Sequence, residues 1–250
     1  MATMQWGFFT PTHIVSLVLT AVFAVGMHFA LRNRSEKVQT TVLGTLSFLG
    51  IASVIFNLVA WGRPLENLPL HLCSFNAFVL PITVFSKNKT LGNMLLVWCL
   101  GALAALILNN ETANVSIFSW SFFFYYFPHV VEFAIPLLLI SLGHVKKDPK
   151  CIFSTVGITM AIYTVVYFIN LALNRWFVAN DIRNAAGEIL LANYMYSIKP
   201  NNPLSELFQS IIPGDYWHMY LAVPILVVYL LIVYAPELVK KFKKNAEPVA

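Results

Sequence analysis

The sequence predicts an all-α, polytopic membrane protein. The expected form is a seven-transmembrane-helix bundle with the N-terminus outside, the C-terminus in the cytoplasm and a short amphipathic helix in the long external loop. Three observations predict it. The 250 residues are 58% hydrophobic and 11% charged, where a soluble domain carries about 25% charged residues. Mean hydropathy is +0.72, so there is too little polar surface to cover a water-soluble globule. Seven apolar runs approach the roughly 20 residues that cross a hydrocarbon core, and the basic residues alternate between the loops that join them.

The runs are His13–Leu31, Thr41–Trp61, Leu68–Phe85, Leu91–Leu108, Ser121–Gly143, Ile152–Leu173 and Tyr216–Ala235, within one transmembrane domain over residues 1–250. The third and fourth are short, with Pro69 and Gly92 near one end, which predicts a tilted or late-starting helix. Residues 1–12 lack the basic region of a cleaved signal peptide.

Arg32, Arg34, Lys37, Lys87, Lys89, Lys146, Lys147, Lys150, Lys240, Lys241, Lys243 and Lys244 fall on one side of the frame. Arg63, Arg175, Arg183 and Lys199 fall on the other. Basic residues collect on the cytoplasmic side, so twelve of the sixteen fix the orientation. The net charge of +5 is therefore a membrane signature, and nucleic acid is not an expected partner. In the long external loop, Leu204, Leu207, Phe208, Ile211 and Ile212 recur at helical spacing between Asn202-Pro203 and Pro213-Gly214. This predicts a short helix on the outer surface, lying on the membrane or packed on the bundle.

Polar groups inside hydrocarbon are costly and often functional. His71 and Asn57 lie near the outer ends of their spans, as does Asn170. His129 lies about 12 Å in from the outer end at helical rise. His13 and His218 stand at outer ends, where an interfacial role is the plain reading. Glu132 is the one formally charged residue inside the expected spans and shares a helix face with His129 and Tyr125. It reads either as a carboxylate beside an imidazole or as a neutral acid bonded to a neighbouring helix. Cys73 sits two residues after His71, and such pairs do not meet on a helix. A covalent role for Cys73 thus needs a partner from another span, such as His129; a structural thiol is the alternative.

The segments LPLHLCSFNAFVLP (68–81), YYFPHVVEFAIPLLLI (125–140) and NYMYSIKP (193–200) resemble the bacterial YwaF-like membrane proteins and, more distantly, the animal transmembrane protein 164. The similarity runs from about the second span to the end. The animal relative is a cysteine-dependent phospholipid acyltransferase, so the resemblance implies lipid acyl transfer in a bacterial plasma membrane. His71, His129 and Asn193 fall on matching motif positions. In the animal pattern the cysteine immediately precedes the first histidine; here Leu70 stands there, and Cys73 is the nearest thiol.

These readings converge on transfer of an acyl chain between membrane phospholipids or other acylated lipids, near the outer leaflet. His129 is the expected base and His71 its partner or second acid, with Cys73 a candidate acyl carrier. Asn193 is expected to bind the headgroup or a developing oxyanion. Tyr125, Glu132, Asn57 and Asn170 complete the substrate-binding set. No Walker loop, HExxH or Cys/His metal spacing appears, so no cofactor or metal is expected. A small permease or transport subunit and a non-catalytic ligand-binding protein remain as rivals. A transport path requires polar residues through the full depth, whereas those found gather in the outer half.

Overall fold

The computed structural model describes residues 4–60, 62, 64–108 and 113–246. Trp61 at the end of the second expected span, Arg63 of the charge pattern, loop residues 109–112 and the tail beyond 246 lie outside the described residues. So do the side chains of Lys241, Lys243 and Lys244.

Eight α-helices occur among the described residues: α1 (Pro11–Leu31), α2 (Glu36–Ala60), α3 (Leu72–Ser86), α4 (Lys89–Ile107), α5 (Trp120–Ser141), α6 (Cys151–Ala179), α7 (Pro203–Ile211) and α8 (Ala222–Ala246). Helices α1, α2, α4, α5, α6 and α8 with the preceding 3-10 turn are each long and apolar enough to span; α3, at 15 residues, is a shorter apolar helix. It starts late, as Pro69 predicts: residues 68–71 approach in non-helical conformation. Three helices run five or more residues beyond the apolar runs, α8 among them with its end at Ala246. Helix α2 begins at Glu36, and α6 continues to Ala179, which puts Arg175 on a helix rather than in a loop.

Local chemistry sets the helix starts. Thr10 caps α1 ahead of Pro11, Asn88 caps α4 and Ser119 caps α5, each accepting a backbone N–H of the first turn. Asn202 and Ser205 form a reciprocal capping box on α7.

Helix α5 packs against α1, α2, α3 and α4. Its Val131, Ala134, Ile135, Leu138 and Leu139 meet Leu80, Val84, Leu95 and Leu96 in the main core. The outward faces are apolar too: Val15, Val18, Val22 and Val25 on α1, and Ile225, Val228, Leu231 and Ile232 on α8, are exposed. Exposed apolar stripes over a packed apolar core are what a bundle solvated by lipid requires.

One end of the bundle carries residues 62, 64–71, 113–119 and 180–221; the other carries most of the described lysines. At the lysine end, buried Asn93 holds the α5–α6 loop. Its Nδ2 donates to the carbonyls of Lys89 (2.7 Å) and Lys146 (3.1 Å), and its Oδ1 accepts from Asp148 N–H (3.0 Å) and the Tyr234 hydroxyl.

Candidate functional site

The first half of the site is built by asparagines one turn apart on α6. Asn174 accepts from Ala192 N–H (2.7 Å) and donates to its carbonyl (3.0 Å). Asn170 accepts from Tyr194 N–H (3.2 Å) and donates to the Tyr194 carbonyl (2.9 Å) and Ser197 Oγ (2.8 Å). The amides thus imitate a β-ladder and lay residues 192–197 along the helix. Asn193 then folds the chain: its Oδ1 accepts from Ile198 N–H (3.1 Å) and Lys199 N–H (2.9 Å), and its Nδ2 donates to the Lys199 carbonyl (2.7 Å). Met195 and Tyr196 take left-handed backbone angles, φ 55° and 53°, at a cost of roughly 1–2 kcal/mol each for non-glycine residues. That turn aims Met195 N–H at His71 Nδ1, 3.3 Å away.

His71 is the N-cap residue of α3, in extended conformation. Its ring packs against Tyr194 and Tyr196 with centroids at 5.4 and 5.5 Å. Together with Glu66, Leu191, Asn193 and Asn201 these rings line a cavity of about 150 Å³.

The second half is the stripe on α5. Pro128 supplies no N–H to the carbonyl of Phe124, and that oxygen instead accepts the Ser53 hydroxyl of α2 at 2.5 Å. One residue on, His129 Nδ1 donates to the Tyr125 carbonyl at 2.6 Å, and its ring lies 4.6 Å from that of Tyr125. The Tyr125 hydroxyl reaches the Ala105 carbonyl of α4 at 3.0 Å. Glu132 is 2% exposed and Asn76, on α3, 1% exposed. The Asn76 amide faces the Glu132 carboxyl, yet Asn76 Nδ2, Asn76 Oδ1 and Glu132 Oε2 make no hydrogen bond. Helix α2 approaches closely at this level through Gly50, where a Cβ would stand 2.8 Å from Ala77 Cβ and 3.4 Å from Glu132 Oε1. Cys73, a half-buried free thiol in the first turn of α3, lies within electrostatic reach of Glu132.

The candidate residues therefore form two groups. His71 and Asn193 share the cavity, whose wall Asn170 holds in place. His129, Tyr125 and Glu132 share a face of α5, with Cys73 near Glu132. No hydrogen bond or ring contact joins the His71 and His129 imidazoles, and none joins either to the Cys73 thiol. Asn57 is half-buried on α2 and lines neither group.

His13 and His218 are fully buried rather than interfacial. His13 accepts from Phe9 N–H (3.0 Å) and donates to the Leu106 carbonyl (2.8 Å). His218 places its nitrogens 3.0 Å from the carbonyls of Gly214 and Tyr196. Sequence reasoning passed over Asn174, Tyr194, Tyr196 and Asn76. The i,i+4 asparagines of α6 were a legible signal; the pairing of Asn76 with Glu132 was not. Among the described residues no three of His, Cys, Asp and Glu come together as a metal site.

Fold and site define a polytopic helical membrane protein with a polar, histidine-bearing cavity at one end of its bundle. The family model described as the TMEM164 family matches residues 8–234, and the chain belongs to that family. No match was found among curated proteins or among solved structures.

Proposed function

We propose that the protein is a lipid acyltransferase or transacylase. It moves an acyl chain between phospholipids or other acylated lipids at the cavity end of the bundle. Alternating basic residues make that end extracytoplasmic, with the N-terminus outside and the C-terminus in the cytoplasm. The resemblance to YwaF-like proteins points to a bacterial plasma membrane.

One observation carries the reading: the backbone fixes opposite tautomers on the two histidines. His129 Nδ1 faces a carbonyl oxygen and so carries the proton, leaving a basic lone pair on Nε2. His71 Nδ1 accepts a backbone N–H, which puts the proton on Nε2. Neither Nε2 makes a hydrogen bond with the described residues. A base and a donor on adjoining helices are what ester exchange needs. His129 Nε2 takes the proton from the attacking hydroxyl as its oxygen adds to the acyl carbonyl. His71 Nε2–H holds the oxyanion, and the departing alcohol regains the proton. With Cys73 as carrier, sulfur adds to the acyl carbonyl as its proton goes to His129. The ester C–O bond breaks, the donor alcohol leaves with that proton and a thioester remains. A second alcohol attacks the thioester to form the new ester while its proton returns through His129 to the sulfur. Asn193 and the tyrosines of the cavity meet the headgroup.

The test is acyl exchange by purified protein in nanodiscs containing a diacyl phospholipid and a labelled lysophospholipid. Labelled diacyl product is expected from the native protein and none from His129→Ala. Absence of product over a panel of headgroups would refute the assignment.

The transport reading is favoured by one feature, the unpaired Glu132 and Asn76 deep among α2, α3 and α5. Solute uptake by protein-loaded liposomes, abolished by Glu132→Gln, would establish it instead.

A further inference from the structure

The Glu132–Asn76 pair is not used by the chemistry above, and it is incomplete as it stands. Two side chains on facing helices, both at least 98% buried, present an amide N–H, an amide oxygen and a carboxyl oxygen, all without partners. In hydrocarbon an unmet polar atom has no water to turn to and is strongly disfavoured, so a native bundle fills such a gap or does not keep it. A metal ion does not complete it, because the amide N–H would point at a cation and, among the described residues, no three of His, Cys, Asp and Glu come together. An anion is opposed by the carboxyl group. A guest that serves the amide N–H and the carboxyl oxygen together both donates and accepts, and is small. That is a hydroxyl group.

We infer that α3 and α5 hold a hydroxyl-binding site between Asn76 and Glu132, beside the close approach of α2 at Gly50. The guest accepts from Asn76 Nδ2–H and donates to Glu132 Oε2; a second hydroxyl reaches Asn76 Oδ1. Buried waters make about three hydrogen bonds and are retained where polar partners converge, which is the situation here. The site lies three residues beyond His129 on α5 and three residues beyond Cys73 on α3, so its occupant adjoins the face carrying both. Two sources supply the chemistry: water, or the free hydroxyl of a lysophospholipid. The second source rests on the acyl-transfer reading; the first does not.

Water-edited solid-state NMR on the full chain in diacyl-phospholipid bilayers separates them, with the Glu132 carboxyl carbon assigned by its loss in Glu132→Gln. If water is the guest, magnetisation passes from water protons to this carbon as fast as to the exposed Glu188 carboxyl. Asn76→Leu then slows that transfer at least threefold while Glu188 is unchanged. If the lipid hydroxyl is the guest, the fast transfer appears only with added lysophospholipid. It comes from the lipid hydroxyl proton and is absent with the methyl-ether analogue. Transfer to Glu132 as slow as to the side chain of Ile135, with and without lysophospholipid, overturns the inference. None of these signals depends on turnover, so an inactive protein with fast transfer would sink the acyltransferase assignment and leave the hydration site standing.

Discussion

Asn170 and Tyr194 are bonded twice. The amide of the first accepts the backbone N–H of the second at 3.2 Å and donates to its carbonyl at 2.9 Å. Asn170 is fully buried, so its loss leaves both backbone groups of Tyr194 unmet, at about 1–3 kcal/mol for each buried group. Asn170→Leu should therefore release the cavity wall while the bundle persists. Hydrogen exchange is the direct measurement. Amides of 194–197 should lose protection by ten- to a hundredfold while those of α5 keep theirs. Equal loss along α5 would mean that the asparagine supports the whole fold rather than this wall.

The tautomers make a sharper prediction for the histidines. A glutamine amide nitrogen overlies Nε2 of histidine and an asparagine nitrogen overlies Nδ1. If His71 acts as a donor through Nε2, His71→Gln should retain far more acyl exchange than His71→Ala, which loses about 100- to 1000-fold. His129 acts as a base, and neither amide can replace it; His129→Gln and His129→Ala should fall together by about 100- to 10,000-fold. Initial rates in nanodiscs decide the matter. Equal loss in the two His71 variants would remove the donor role.

Much of this was legible because bilayer physics is written in composition. Six spanning helices and the late start of α3 follow from apolar runs and Pro69. Helix α7 follows from a helical apolar stripe between Asn202-Pro203 and Pro213-Gly214. The cavity was not legible. Its wall depends on Met195 and Tyr196 turning left-handed, a conformation held by Asn170, Asn174 and Asn193 from outside the turn. Glu132 stood out as a lone charge, but its neighbour Asn76 is set by the closeness of α2 and α3 at Gly50. The burial of His13 and His218 was not legible, because position near a helix end suggests an interface, whereas Trp6 and the 193–197 segment fold over them.

Helix α7 leaves Leu204, Leu207 and Ile211 exposed while Ser205 and Phe208 are buried. The helix is fixed to the protein by one face and offers an apolar face outward, as an interfacial helix does. Immersing each exposed aliphatic side chain should contribute about 1 kcal/mol, part of the value for full burial. Leu207→Asp with Ile211→Asp should lift α7 from the bilayer. A nitroxide at Leu207 in otherwise native sequence should be quenched by oxygen more than by a water-soluble nickel chelate, and one at Glu206 the reverse. Matching accessibility at both positions would show α7 standing in water.

The lysine end predicts two separate regions of acid sensitivity. Asp148 accepts from Lys89 at 2.7 Å and from Lys150 N–H at 2.9 Å, and these contacts hold its carboxyl below the usual value. A lowered acid adds stability that is complete above the unfolded value, near 4, and disappears as pH falls through the folded one. Asp148 lies at the surface with its side chain 22% exposed, so screening limits the effect to a few tenths of a kcal/mol. His144 is also lowered, first by burial and then by the charge of Lys87. For a histidine this means that the unfolded chain takes up a proton that the fold resists, so stability falls as pH drops below about 6.5. Thermal unfolding in detergent between pH 8 and 3 should therefore show two declines. His144→Asn should flatten the one beginning near pH 6.5, and Asp148→Asn the one below pH 4. If His144→Asn leaves the upper decline unchanged, the imidazole is not its source.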